Sequence, residues 1–210
     1  MPNSKKVDLP ATYTFDYNYK LKMTSQSQKD EMVMDYYLKK DADYFGFKMN
    51  QMKTEQGDMF FVMDNKLNVN AMFMDLMGQK MVQTSSLDMK EMTKEDAESN
   101  KDFNIKKIGT KTILGYDCQG FVTDNEDAEI TFYIAENAPV SFNKMWDANS
   151  KHMPKGFNAE WLKKMENGLM MEMTYKDKKK SKSDMTMTCV GLEKTDFSIK
   201  TTEYKSGFGG

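Results

Sequence analysis

From Thr12 to Thr24 the side chains alternate without interruption. Tyr13, Phe15, Tyr17, Tyr19, Leu21 and Met23 are apolar or aromatic. Thr12, Thr14, Asp16, Asn18, Lys20, Lys22 and Thr24 are polar. A period of two is the signature of a β-strand with one buried face and one wet face. Tyr13 to Met23 would span about 37 Å at roughly 3.4 Å per residue. So long a strand predicts a strongly curved antiparallel sheet, because antiparallel sheets are the kind that leave one face in water.

The rhythm returns along the chain. Met32, Met34, Tyr36 and Leu38 alternate, then Phe45, Phe47 and Met49, with Gly46 marking a bulge or a close approach. Met59, Phe61 and Met63 follow the turn signal Gln56-Gly57-Asp58. Leu67, Val69, Ala71 and Phe73 follow Asp64-Asn65-Lys66. Met72 and Met74 fall on the other parity, so that strand is either buried on both faces or bulged. Such spacings read as an up-and-down meander. Ser85 to Lys101 is a polar loop with room for one helical turn. Strands resume near Ile105, at Gln119 to Val122, and at Ile130, Phe132 and Ile134. Ser141 caps a short helix through Trp146, and Phe157, Trp161, Leu162 and Met165 lie on one helical face that ends at Gly168. Alternation then returns in Leu169, Met171, Met173 and Tyr175, paired with Met185, Met187 and Cys189, and a last strand holds Phe197 and Ile199. Between the paired strands, Lys176 to Ser183 has five lysines in eight residues. It reads as a solvated hairpin loop, or as a basic patch for acidic lipid headgroups.

No βαβ alternation appears, which argues against a parallel nucleotide-binding sheet. The reading is a mainly β, single domain over residues 11–205 with tails at 1–10 and 206–210. It is a strongly curved antiparallel sheet, a half-open barrel, with one or two short helices from Ser141 to Glu166 on its concave side. Trp146, Phe157, Trp161 and Met165 would face the sheet.

Several functions are disfavoured. The formal net charge is -2, and all the basic residues are lysine. A nucleic-acid footprint needs clustered positive charge, and bidentate recognition of phosphate or guanine needs arginine. No glycine-rich phosphate loop is present. The longest apolar run, Met59 to Met63, is far short of the roughly 20 residues of a spanning helix. No apolar leader core follows Met1, and the polar opening is compatible with a trimmed start. His152 is the sole histidine and sits in loop-like sequence, so neither a zinc site nor a nucleophile-histidine pair is indicated. No cofactor and no catalytic residue is expected.

The 22 methionines are the unusual feature. Met32 and Met34, Met72 and Met74, Met171 and Met173, and Met185 and Met187 each occur as Met-x-Met. That spacing sets both sulfurs on one strand face, roughly 7 Å apart. They read as an ordinary core, with Met replacing Leu and Ile. A second reading is an adaptable apolar cavity, because Met is unbranched and polarizable. A third reading is a soft-metal site, since thioethers select Cu(I). Tyr17, Met32, Met34, Tyr36, Phe61, Met63, Met171, Met173, Met185, Met187 and Trp161 are the candidate lining of a hydrophobic cavity. Cys118 and Cys189 form one disulfide in an oxidising compartment, or remain two buried thiols.

Ile113-Leu114-Gly115-Tyr116-Asp117-Cys118 resembles an Ile-Leu-Gly-Tyr-x-Cys element of exported envelope proteins. With Tyr13 to Met23, Tyr44 to Met49, Met72 to Lys80 and Asn137 to Phe142, it is similar to the family called domain of unknown function 4412, over roughly Tyr13 to Leu192. The resemblance implies a periplasmic or otherwise exported protein with a fold like that of lipoprotein carriers, in which an incomplete barrel wraps a helix and holds acyl chains. It carries over no catalytic residue. The expected function is a non-enzymatic envelope protein that binds a lipid or a lipoprotein acyl chain. The alternative is a protein-binding or scaffolding module with a filled core and an envelope partner.

Overall fold

The computed structural model describes residues 7–49, 58–87, 105–141 and 168–206. Fourteen strands lie within them. They are β1 Thr12–Thr14, β2 Tyr17–Ser25, β3 Gln28–Leu38, β4 Tyr44–Met49, β5 Asp58–Asp64, β6 Val69–Leu76 and β7 Gln79–Ser86. After these come β8 Ile105–Ile113, β9 Tyr116–Asp124, β10 Ala128–Ala135, β11 Leu169–Asp177, β12 Met185–Lys194, β13 Ser198–Lys200 and β14 Lys205–Ser206. β1 pairs with β13, and the other twelve follow the open order β14-β7-β6-β5-β4-β3-β2-β12-β11-β10-β9-β8. Neighbouring registers are antiparallel, apart from the parallel β14 with β7.

Local chemistry explains the hairpins. β6 and β7 are joined by Met77-Gly78, and β8 and β9 by Leu114-Gly115, each between directly paired residues. Both residues of each turn have positive φ (52° and 83°; 51° and 81°). That is the mirror-image turn whose twist suits a two-residue hairpin, and it favours Gly at the second position. The Ile-Leu-Gly-Tyr element is therefore a hairpin turn. At the β5–β6 turn, Leu67 N donates to Asp64 Oδ1 at 2.9 Å. Leu67 belongs to that turn and not to the strand predicted to contain it. In the β9–β10 turn the Asn125 side chain accepts from the backbone N–H groups of Asp127 (2.9 Å) and Ala128 (2.8 Å).

The long first strand is broken in two. At Phe15 and Asp16 the backbone bonds leave the ladder: Phe15 N donates to Phe197 O, Asp16 N to Leu38 O, and Thr195 N to Asp16 O, at 2.8–2.9 Å. The Asp16 carboxylate accepts from Lys40 N at 3.2 Å. These partners, remote in sequence, draw the chain out of one sheet and into the other.

The described residues fall into two compact units. The first holds 7–20, 34–49, 58–87 and 192–206; the second holds 21–33, 105–141 and 168–191. In the first unit one sheet face is a filled aromatic core of Tyr13, Phe15, Phe60, Val62, Ala71, Phe73, Val82 and Ile199, with Tyr37, Tyr44 and Phe197 packed against it. The Tyr13 hydroxyl donates to the buried Asp64 carboxylate at 2.9 Å. Gly46 is the predicted close approach: a Cβ there would lie 2.3 Å from Phe60 Cζ.

In the second unit Phe132 stands opposite Phe121 on β9 and Met173 on β11, and Met173 stands opposite Met187 on β12. The Phe121 and Phe132 rings stack with centroids 5.7 Å apart. The β10–β11 register shifts between Tyr133 and Ile134, leaving Met171 as the extra residue of a bulge. On the wet side Lys111 binds Glu172 at 2.7 Å and lies 5.4 Å from the centre of the Tyr133 ring.

The helices expected from Ser141 to Glu166, with Trp146, Phe157, Trp161 and Met165, lie outside the described residues apart from Ser141 itself, as does His152. So does the predicted loop beyond Leu87, while Ser85 and Ser86 end β7. No described helix is long and apolar enough to cross a membrane.

Candidate functional site

In the first unit, register turns the separate alternations into rows that run across the sheet. On the face opposite the aromatic core, Tyr36, Phe47, Phe61 and Met72 are successive partners from β3 to β6. Leu38, Phe45, Met63 and Asn70 form the next row. Met59, Met74 and Met81 form another across β5, β6 and β7. The Phe47 and Phe61 rings stack with centroids 4.9 Å apart, and Tyr36 meets Phe47 at 6.2 Å. Tyr19 contacts Tyr36 at 6.0 Å, and alternation sets Tyr17 on the same side of β2 as Tyr19. Leu38, Phe45, Tyr36 and Met63 are buried. Tyr17, Met34, Phe47, Met59, Phe61, Met72, Met74 and Met81 are half-buried.

The charge distribution sets this face apart. Among the described residues of β3 to β7 in this unit, Asp35, Lys48, Asp64, Asp75 and Lys80 all share the parity of the aromatic core. The methionine–aromatic face carries no charged side chain in that stretch, in a chain that is 30% charged. One of its polar groups is turned to local use. The Tyr36 hydroxyl donates to Met34 Sδ at 3.4 Å, and burial pushes its phenol up to about 12, which keeps it a neutral donor. This surface offers dispersion contacts and thioether lone pairs, and no acid–base pair among its described residues.

The candidate lining is thus divided. Tyr17, Met34, Tyr36, Phe61 and Met63 belong to this face of the first unit. Met32, Met171, Met173, Met185 and Met187 belong to the second unit, where Met171 (0%), Met173 (1%) and Met187 (6% exposed) are packed interior with Ile130, Phe132 and Leu169. Met32 and Met185 are half-buried there. Trp161 lies outside the described residues. Phe47, Met59, Met74 and Met81 extend the face beyond the residues singled out from sequence. The signal was the second parity at Met72 and Met74: β5 and β6 keep an unshifted register and are apolar on both faces. A cleft of about 380 Å³ in the second unit is lined mainly by polar residues, including Thr24, Gln26, Thr174, Lys176 and Asp184, with Tyr175 and Met185.

Both cysteines are buried free thiols. Cys118 donates to Tyr116 O at 3.3 Å and Cys189 to Gly191 O at 3.4 Å; their strands, β9 and β12, have β10 and β11 between them in the sheet order. Burial pushes the Cys189 thiol up to about 11 and raises that of Cys118. The lysine-rich stretch is largely spoken for: Lys176 binds Glu129 at 2.8 Å, Lys178 binds Asp124 and Asn125 O, and Lys179 binds Asp127.

These features define a mainly β protein with an open, essentially antiparallel sheet. The chain belongs to the family described as domain of unknown function DUF4412, whose model matches residues 17–204. No curated protein matches it. Among solved structures it is similar to PNGF-II (10% identity, TM-score 0.43, 90% of this chain and 29% of that one). It is also similar to the MucA/MucB complex of Pseudomonas aeruginosa (5%, 0.47, 91% and 56%). A third similarity is to a LolA-superfamily protein from Nitrosomonas europaea (8%, 0.32, 92% and 91%). The chain spans less than two thirds of PNGF-II and of the matched chain of the MucA/MucB complex.

Proposed function

We propose that the uncharged methionine–aromatic face of the first unit binds a hydrophobic ligand, a lipid or a lipoprotein acyl chain, and that the protein is a non-enzymatic component of the periplasm or cell envelope. One observation carries the reading: β3 to β7 send their described charges to one side and hold half-exposed Met and Phe on the other. Solvated sheet faces are normally polar, so a half-exposed apolar one marks a surface that is covered in use. Unbranched thioethers adapt to chains of differing length and bend. Tyr17, Met34, Tyr36, Phe61 and Met63 contribute from the lining expected on sequence grounds, and Phe47 and Met72 complete the row.

The test is titration of delipidated protein with a dansyl-labelled long-chain fatty acid, alongside mass spectrometry of lipids extracted from the purified protein. Saturable binding weakened about tenfold or more by Phe61→Asp, with the fold retained by circular dichroism, is the expected result. No saturable binding to the wild type, or equal binding to the folded variant, ends the reading. A second reading, an envelope protein docking on the same face, draws on the filled aromatic core behind it. It predicts no co-purified lipid and capture of a defined partner that Phe61→Asp abolishes.

A further inference from the structure

We propose that Met59, Met74 and Met81 form a thioether site for Cu(I). The inference is independent of acyl binding, because it rests on one row of the sheet and on sulfur chemistry. Met59 is the direct partner of Met74 on β6, and Met74 is the direct partner of Met81 on β7. Direct partners in an antiparallel ladder have Cα atoms about 4.5–5.5 Å apart, and their side chains rise from the same face. Three rotatable bonds would let the outer two methionines lean over the middle one, so that three sulfurs could share one ion above Met74.

The Met-x-Met pairs in the sequence do not do this. Neighbours two apart on one strand are roughly 7 Å apart. Another directly opposed pair, Met173 and Met187, has two sulfurs and is buried. Met59, Met74 and Met81 are half-buried, so an ion can reach them from solvent. Met72 stands two residues from Met74 on the same face, as a further soft neighbour.

Donor type sets the metal. Neutral thioethers are soft ligands that favour Cu(I), whereas Ca²⁺ and Mg²⁺ require oxygen donors and Zn²⁺ takes thiolate, imidazole or carboxylate. Among the described residues no group of three or more His, Cys, Asp or Glu is placed to hold a metal. The absence of charge among the described residues of this face suits a monovalent soft ion held by neutral ligands. No redox step is involved, and the ion enters and leaves as Cu(I).

The experiment is anaerobic competition of the full chain against bicinchoninate for Cu(I), with Ag(I) as a redox-inert probe in native mass spectrometry. One equivalent should bind, and X-ray absorption should show a sulfur-only first shell. The triple variant Met59→Leu, Met74→Leu, Met81→Leu should lose affinity by about tenfold or more, while Met171→Leu with Met173→Leu should retain it. Leu for Met is near volume-conserving, so the fold should survive, and circular dichroism checks that it does. Undiminished Cu(I) binding by the folded triple variant, nitrogen or oxygen in the first shell, or failure of the wild type to compete would overturn the site. Binding of the dansyl fatty acid without metal is a separate readout, so failure here leaves the acyl reading standing, and the reverse holds.

Discussion

Adding a single methyl group at Gly46 should destabilise the first unit. A Cβ at this position would lie 2.3 Å from Phe60 Cζ, 2.6 Å from Phe60 Cε1 and 3.1 Å from Phe15 Cζ. Carbon atoms pack comfortably at about 3.5–4.0 Å, so the Phe60 ring has to retreat by more than about 1 Å. It has nowhere to go. Its centroid is 5.6 Å from Phe15, 5.2 Å from Tyr37 and 4.9 Å from Phe197, and the residue is 4% exposed. Overpacking of this kind costs about 1–3 kcal/mol, and a caged ring puts Gly46→Ala toward the upper end. The stiffer unfolded chain returns about 0.4–1 kcal/mol. The net expectation is a loss of about 2 kcal/mol, or a fall of about 1 M in the urea midpoint if m is about 2 kcal/mol/M. The cause is tested with Phe60→Leu, which removes the obstructing ring. Each change alone should destabilise, and the double variant should be more stable than the sum by about 1 kcal/mol or more. A neutral Gly46→Ala, or strict additivity, would refute the close-approach argument.

Alkaline pH should weaken the fold through Tyr36. Its folded phenol is pushed up to about 12 from 10.0 by burial, so above pH 10 the unfolded chain releases a proton that the native state keeps. The contribution is intact below pH 10 and is lost as pH rises to about 12, worth up to about 3 kcal/mol; urea midpoints of Tyr36→Phe should fall less steeply over that window, and identical slopes would count against it. Buried thiols with raised pKa should resist iodoacetamide at pH 8 and react fully in denaturant, as read by intact mass; an unlabelled species two mass units lighter would instead reveal a Cys118–Cys189 disulfide. At the mirror-image turns, Met77 (94% exposed, φ 52°) and Leu114 (50% exposed, φ 51°) occupy positions that suit Asn or Gly. Met77→Asn and Leu114→Asn should each raise the thermal midpoint, by the equivalent of up to about 1 kcal/mol, and a lowered midpoint would contradict the turn assignment.

Much of this protein can be read residue by residue. Alternation locates β3 to β6 and β10 to β12, and turn chemistry at Asp64, Gly78, Gly115 and Asn125 separates the paired strands. These are local effects: sterics give side chains a period of two, and neighbouring groups satisfy the turns. Sequence also separates the charged parity of β5 and β6 from the methionine parity, though it leaves open whether a bulge lies there.

Local pattern stops at the question of which surfaces meet. Tyr13, Phe15 and Tyr19 share one alternation, yet Phe15 packs with Tyr37 and Phe60 in the aromatic core, while Tyr19 packs with Tyr36 on the opposite face. Tyr36 and Tyr37 are adjacent on β3 and point to opposite sides. The crossing at Phe15 and Asp16 that makes this possible depends on Phe197, Leu38 and Thr195, far away in the chain. The row of Met59, Met74 and Met81 likewise exists only through register. A period of two says which residues of one strand share a side; which strands stand beside it, and at what offset, comes from long-range hydrogen bonds and burial that no short window of residues contains.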